Sequence, residues 1–403
     1  MHLYDVPLIL MLVGLAAYAV LGGADFGAGA WQLIGGRSER AQRIREHAHH
    51  SMGPVWETNH VWLIFVLVVC WTAYPSAFGS IMSTLAAPIL LAAIGIIMRG
   101  TAYAMRSGTR TAREQRAVET LLGVSSILTP FALGAAIGGV ASGRVPEGNA
   151  EGDLVTSWLN PTSILIGTLA VVTAAYMAAV FLAADARRRG ERELTEAFRV
   201  RALLAALVAG AIALGGLLVL RSDAELVWDG LTSGWGLVAV LASALAGAVT
   251  ITLVWRGRFE PARYTAAVAV GAIVAGWALA QNPTFLPGLT VEEAAASHTV
   301  LVATLVSVGI GVLVLAPSLA LLFGLVLKGR FDAPPTAPAD TEPRPLAPAS
   351  QKRLLAVSAG GLGTGLLFLT LLEPGWAHAI GVAGLFVFIA AGFVAIASSE
   401  PAA

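Results

Sequence analysis

Two carboxylates and one guanidinium stand where long apolar runs begin or end. Asp25 lies within Gly-Gly-Ala-Asp-Phe-Gly-Ala-Gly (22–29), Glu57 within Gly-Pro-Val-Trp-Glu-Thr-Asn-His-Val-Trp (53–62), and Arg99 near the far end of a run that begins at about 79. An ionised group at the edge of a hydrocarbon layer costs several kcal/mol unless it is paired or hydrated. Such groups therefore tie helices together as ion pairs or carry protons. For Asp25 and Arg99 the tie between helices is the simpler reading. Glu57 differs, because Pro54 suits the first position of a helix and sets Glu57 in or just after the first turn. There the helix dipole favours the carboxylate while burial favours the acid, so the group is able to gain and lose protons. The same placement also fits an exposed, inert helix-start acid. His60 lies one turn beyond Trp56 on the same face and reads as a proton relay, a metal ligand or a hydrogen-bonded helix histidine. His47, His49 and His50 form a weak metal cluster or a solvated loop, and Trp56, Trp62, Trp71 and Tyr74 suit interfacial anchoring or packing.

The elements that position these groups are membrane spans. Of 403 residues, 57% are hydrophobic and 12% charged, against about a quarter charged in soluble domains. Apolar runs near twenty residues, each enough to cross roughly 30 Å of hydrocarbon, recur at about 6–34, 56–74, 79–105, 117–140, 160–186, 202–220, 232–255, 264–280, 298–327, 354–371 and 377–397. The fold class is thus an all-α polytopic transmembrane bundle of about nine core spans plus a terminal two-span hairpin. The divisions fall at 1–330, a Pro-rich cytoplasmic linker at 331–353, and the hairpin at 354–403. The net charge of zero gives no argument for a nucleic-acid partner. The single cysteine, Cys70, excludes an internal disulfide or a multi-cysteine metal site. No basic n-region precedes the first run, so it reads as a retained span.

Lys and Arg fix the orientation. All but Arg99, Arg144 and Arg221 fall in alternate loops, which the positive-inside rule makes cytoplasmic, with the N-terminus outside. Asp25 then lies roughly 28 Å from the outer end of the first span at 1.5 Å per residue. Glu57 opens the second span from inside, and Arg99 ends the third. Three polar groups converge on the inner face, and no other span carries a charge near its centre. Gly23 with Gly27, and Gly134 with Gly138, match the small-xxx-small spacing of close helix contacts.

At these motifs the chain resembles subunit II of the cytochrome bd-type quinol oxidases. Gly23 to Gly29 is similar to that family's glycine-flanked Asp motif, and Pro54 to Trp62 to its Trp-acid-x-Asn motif. Met98-Arg99-Gly100 with Tyr103 and Arg106 is similar to its third-helix arginine motif. Gly276-Trp277 through Gln281-Asn282-Pro283, Leu289-Thr290-Val291 and Ala294 to Ser297 resemble the loop between its eighth and ninth helices. The resemblance covers about 6–330 and implies a haem-free subunit that supports subunit I, the bearer of haem b and haem d and the site of quinol oxidation. It implies proton uptake from the cytoplasm at Glu57, with support from Asp25, Asn59 and Arg99. Together with the reading of the residues, the proton-inlet candidates are Glu57, Asp25 and His60, and the supporting network is Asn59, Arg99 and Trp56. No catalytic residue or metal ligand is assigned to this chain.

The expected partners are subunit I, membrane lipid and, through subunit I, the quinol pool, with room for a bound quinone or lipid between helices. The expected location is the plasma membrane, as a multi-pass protein of a bacterial inner membrane. Glu57 stands where many members have Asp, Ala104 replaces an acid, His60 replaces Glu or Gln, and 331–403 has no counterpart, all marks of a divergent branch. The alternative from a different class is a stand-alone secondary transporter. Transporters usually place their coupling groups near the midplane, where this chain has none. A purely structural scaffold for subunit I, with Glu57 inert, is the third possibility.

Overall fold

The computed structural model describes residues 2–34, 39–52, 56–106, 111–327, 348–370 and 375–397. The first run is one bent span: α1 (Asp5–Ala17), a π-helical turn (Tyr18–Gly22) and α2 (Gly23–Ile34). The segment α3 (Glu39–Met52) leads to α4 (Trp56–Ala73). The third run departs from a single span. It divides at Leu85 into α5 (Pro75–Thr84) and α6 (Ala86–Arg106), so residues 75–78, expected as an outer loop, are helical. Pro88 explains the break. It has no N–H to continue the ladder from Thr84, and it is tolerated in the first turn of a new helix, where N–H groups lack partners anyway.

Next come α7 (Ala112–Ala141), α8 (Pro161–Arg188), α9 (Arg192–Asp223), α10 (Glu225–Leu231), α11 (Gly234–Trp255) and α12 (Phe259–Gln281). A small hairpin of β1 (Thr284–Leu286) and β2 (Leu289–Thr290), then α13 (Val291–Ala294), precedes α14 (His298–Leu327). Helices α7, α8, α9 and α12 overrun their expected spans at one or both ends, because polar caps and charged turns extend them beyond the apolar core. Thr111 and Glu114, for example, close a reciprocal capping box at the start of α7. Among the described residues, eight helices are long and apolar enough to cross a membrane. The second run and the terminal hairpin contribute shorter described apolar stretches at 59–73 and 380–392.

The chain forms two compact units, 1–323 and 324–403. The second unit contains α15 (Pro348–Thr370) packed on α16 (Gly375–Ala397). Helix α15 takes up the last six residues of the expected linker, since Pro348 takes the first helical position, which proline favours. The rest of the linker, 331–347, lies outside the described residues.

In lipid, helices gain little from hydrophobic burial against one another, so close backbone contact carries much of the packing. Helix α8 is the axis of the first unit and packs against α2, α7, α9 and α12. The paired glycines mark these approaches. A Cβ on Gly27 would stand 1.9 Å from the Ala174 carbonyl oxygen, and one on Gly138 2.4 Å from the Ser163 Cα. The inner ends of α8, α9 and α12 bury Met177, Leu182, Phe198 and Phe259. At the outer end, the hairpin loop buries Leu286, Leu289 and Val291 beside Tyr74, and the Ala296 N–H donates to Ala73.

Helix α3 seals the inner end. Ile44 and Ala48 enter the α8–α9 core, and Arg43 pairs with Glu193 at 2.6 Å. Buried His47 meets the Leu182 carbonyl at 3.1 Å. A carbonyl only accepts, so Nε2 carries the proton, and Nδ1 has no partner among the described residues. Burial pushes the His47 pKa below that of an ordinary imidazole, against opposite pulls from the Leu182 carbonyl and Asp185. A base with a depressed folded pKa takes up protons on release. Docking of α3 is therefore fully stable above about pH 6.5 and weakens as pH falls below it. Hydrogen exchange of 39–52, corrected for intrinsic rates, is expected to show less protection at about pH 5.5 than at about pH 7.5, and His47→Gln to flatten the difference. Equal protection at both pH values in the unaltered protein contradicts this.

Candidate functional site

Helices α2, α6 and α7 meet around one buried guanidinium. Arg99 and Asp25 are both fully enclosed. Arg99 Nε donates to Asp25 Oδ2 at 3.0 Å, and Nη2 donates to Oδ1 at 2.6 Å and to the Asp25 backbone carbonyl at 2.8 Å. Its Nη1 donates to Ser126 Oγ at 2.5 Å, and Ser126 in turn donates to the Leu122 carbonyl at 2.6 Å. Tyr103, one turn beyond Arg99, places its hydroxyl 3.3 Å from Nη2 and 3.4 Å from Oδ1. The Phe26 ring lies under the guanidinium with its centroid at 5.0 Å. All three Arg99 nitrogens are engaged, in the forked geometry that suits arginine rather than lysine.

The glycines of the Asp motif make this possible. A Cβ on Gly29 would fall 2.0 Å from Ser126 Oγ and 3.0 Å from Arg99 Nη1. Phe26, His60 and Tyr18 form a second layer against the pair. His60 on α4 has its ring centroid 5.9 Å from Phe26 and 6.1 Å from Tyr18, and Tyr18 lies 6.4 Å from Phe26. Asn59 is buried at the same level of α4. Glu57 is the second residue of α4, one turn before His60 on an adjoining face. The side chains of Glu57 and Trp56, and those of His49 and His50, lie outside the described residues.

The structure thus joins Asp25 to Arg99, as the depth of the two residues suggested, and sets His60 beside them. Ser126 was not singled out by its sequence, although a Ser-Ser pair inside an apolar run was the available signal. Two further ties were missed. At the outer end, Arg144 pairs with Asp223 at 2.5 Å, and Asp223 also accepts from the Thr162 hydroxyl at 2.6 Å. At the inner end, Asp185 accepts from Arg263 at 2.5 Å and pairs with Arg188. The signal for the first was Arg144 itself, an arginine on the side that the positive-inside rule leaves poor in basic residues. Among the described residues, no cluster of three or more His, Cys, Asp and Glu could hold a metal ion.

Removing one partner of a buried ion pair leaves an uncompensated charge and costs about 3–5 kcal/mol, whereas replacing both by apolar groups is often neutral. Arg99→Met and Asp25→Leu are each expected to lower the thermal stability of the detergent-solubilised protein. The double variant should recover much of the loss. Additive losses in the double variant contradict a shared pair.

Comparison with known proteins gives one consistent result. The model of the family described as cytochrome bd terminal oxidase subunit II matches residues 3–326. The chain is 28% identical over 207 residues to the cytochrome bd-I ubiquinol oxidase subunit 2 of Escherichia coli (strain K12), covering 49% of this chain and 52% of that one. It is 26% identical over 132 residues to the cytochrome bd ubiquinol oxidase subunit 2 of Bacillus subtilis (strain 168), covering 33% and 38%. The matched stretches therefore span about half or less of these curated relatives. The fold matches a chain of the solved bd oxidase from Geobacillus thermodenitrificans with a TM-score of 0.65 at 24% identity, over 81% of this chain and 99% of that one.

Proposed function

This multi-pass membrane protein belongs to the cytochrome bd terminal oxidase subunit II family, and we propose that it is the haem-free subunit of a quinol:oxygen oxidoreductase in a bacterial plasma membrane. Its partner is the haem-bearing subunit I, which would hold haem b and haem d and carry out the redox steps. The family match gives a stand-alone transporter no support.

The contribution proposed for this chain is a cytoplasmic proton inlet. The observation that carries it is the layered arrangement at the inner end of α4. Glu57 opens the helix, His60 stands one turn further in, and the enclosed Asp25–Arg99 pair lies beyond. Asp25 is committed to Arg99 through both carboxylate oxygens. Its part is to hold α2 against α6 and supply a fixed, neutralised wall. Glu57 is the second residue of α4, in the first turn, where the helix dipole favours an anion. Asn59 and Trp56 flank it in the same first turns.

Glu57→Gln, in the assembled oxidase, removes the exchangeable proton at nearly constant volume. It is expected to lower quinol-driven oxygen consumption by roughly tenfold or more, the scale of a lost general acid–base group, with haem content unchanged. Full turnover in this variant contradicts the inlet and leaves a scaffold role.

A further inference from the structure

Tyr18 presents a chemical problem that packing does not explain. Its side chain is buried among Phe26, Ala174, Trp62, Leu63, Ile96 and Leu133, an apolar nest in which phenylalanine would fill the same space. Yet it carries a hydroxyl, and that oxygen is enclosed with no hydrogen-bond partner among the described residues. A buried donor without a protein partner is costly, and native proteins usually satisfy it with ordered water or keep it for a function.

The backbone is also specialised at this point. The Gly23 N–H bonds to the Tyr18 carbonyl across a five-residue π-helical turn. Such turns insert one residue into an α-helix and recur at functional sites. They also change the register, so that Tyr18 and Asp25 present to the same neighbourhood from either side of the turn. Gly22 leaves room for the ring, since a Cβ there would stand 3.0 Å from the ring edge. The ring is consequently fixed against α2, with the His60 ring centroid at 6.1 Å.

We propose that Tyr18 is a proton relay that continues the inlet beyond His60, through a water molecule held between the imidazole and the phenol. The inference rests on Glu57 as the inlet. A proton taken up at Glu57 passes to His60, one turn along α4. The neutral imidazole accepts it on one nitrogen and releases the proton of the other to the water. The water gives a proton to a lone pair of the Tyr18 oxygen as the original hydroxyl proton leaves on the far side, toward a second water. The phenol begins and ends neutral, no phenolate forms, and no electron moves. The Asp25–Arg99 pair beside it carries no net charge and so presents no cationic barrier to the moving proton. It also holds Phe26, and through Phe26 the two relay rings, at fixed separation.

Tyr18→Phe removes one oxygen and keeps the ring, so it tests the hydroxyl without opening a cavity. The assay is quinol-driven oxygen consumption by the purified oxidase complex in H2O and D2O across the pH range of activity, with haem content and thermal stability measured alongside. The expected result is a loss of turnover of roughly tenfold, an altered solvent isotope effect and pH profile, an unchanged haem spectrum, and thermal stability equal to or above that of the unaltered complex. A purely structural tyrosine would leave the isotope effect and pH profile unmoved. Full turnover with an unchanged isotope effect in Tyr18→Phe overturns the relay. If Glu57→Gln is impaired in the same assay, the inlet survives that result. Full turnover in Glu57→Gln removes the inlet, and the relay built on it falls as well.

Discussion

A charged guanidinium cannot sit in the middle of an apolar helix bundle alone, and the satisfaction of Arg99 organises the first unit of this protein. Its requirements are met by a carboxylate and a backbone carbonyl from α2, a hydroxyl from α7 and the hydroxyl of Tyr103 on its own helix α6. Each partner comes with a packing condition. Asp25 reaches Arg99 with both oxygens only if α2 lies close. Gly29 permits that approach by leaving the space that Ser126 and Arg99 occupy, and Gly27 lets α8 touch the opposite side of α2. The spacing of the Gly-Ala-Asp-Phe-Gly-Ala-Gly segment is therefore a statement about three helices at once. An ion pair so enclosed adds little net stability compared with apolar packing, but the loss of either partner is severe. It acts as a fixer of geometry.

That geometry bears directly on proton transfer. Both carboxylate oxygens of Asp25 and its backbone carbonyl are committed to Arg99. Hydrophobic neighbours and an aromatic layer keep His60 and Tyr18 apart from bulk water, and the neutralised pair behind them sets the electrostatic background. Asp25 is held as structure through its bonds to Arg99, and the inlet proposed above is therefore assigned to Glu57.

Much of this was legible in the sequence because the membrane imposes strong rules. Apolar runs near twenty residues and the segregation of arginine gave helices at every expected position, and helical rise gave the common depth of Asp25 and Arg99. The misses have physical causes. The break at Leu85 depends on how Pro88 is accommodated, and a hydropathy pattern that averages over twenty residues does not register one missing N–H. Helix α10, the extra turns of α9 and the start of α15 are set by local backbone bonding in polar segments, where apolar periodicity is silent. Ser126 gives no charge signal, so its tie to Arg99 emerged only with α6 and α7 in contact. The π-helical turn at Tyr18 is a matter of backbone register, for which Gly22-Gly23 is at most a permissive sign.

The central claim is that this chain works as the second subunit of a haem-containing oxidase. The most direct test is gentle detergent purification of the tagged chain, followed by a reduced-minus-oxidised visible spectrum of the eluate. The account predicts a co-purifying membrane subunit and the bands of haem b and haem d. A folded, colourless chain that elutes without a partner would contradict it.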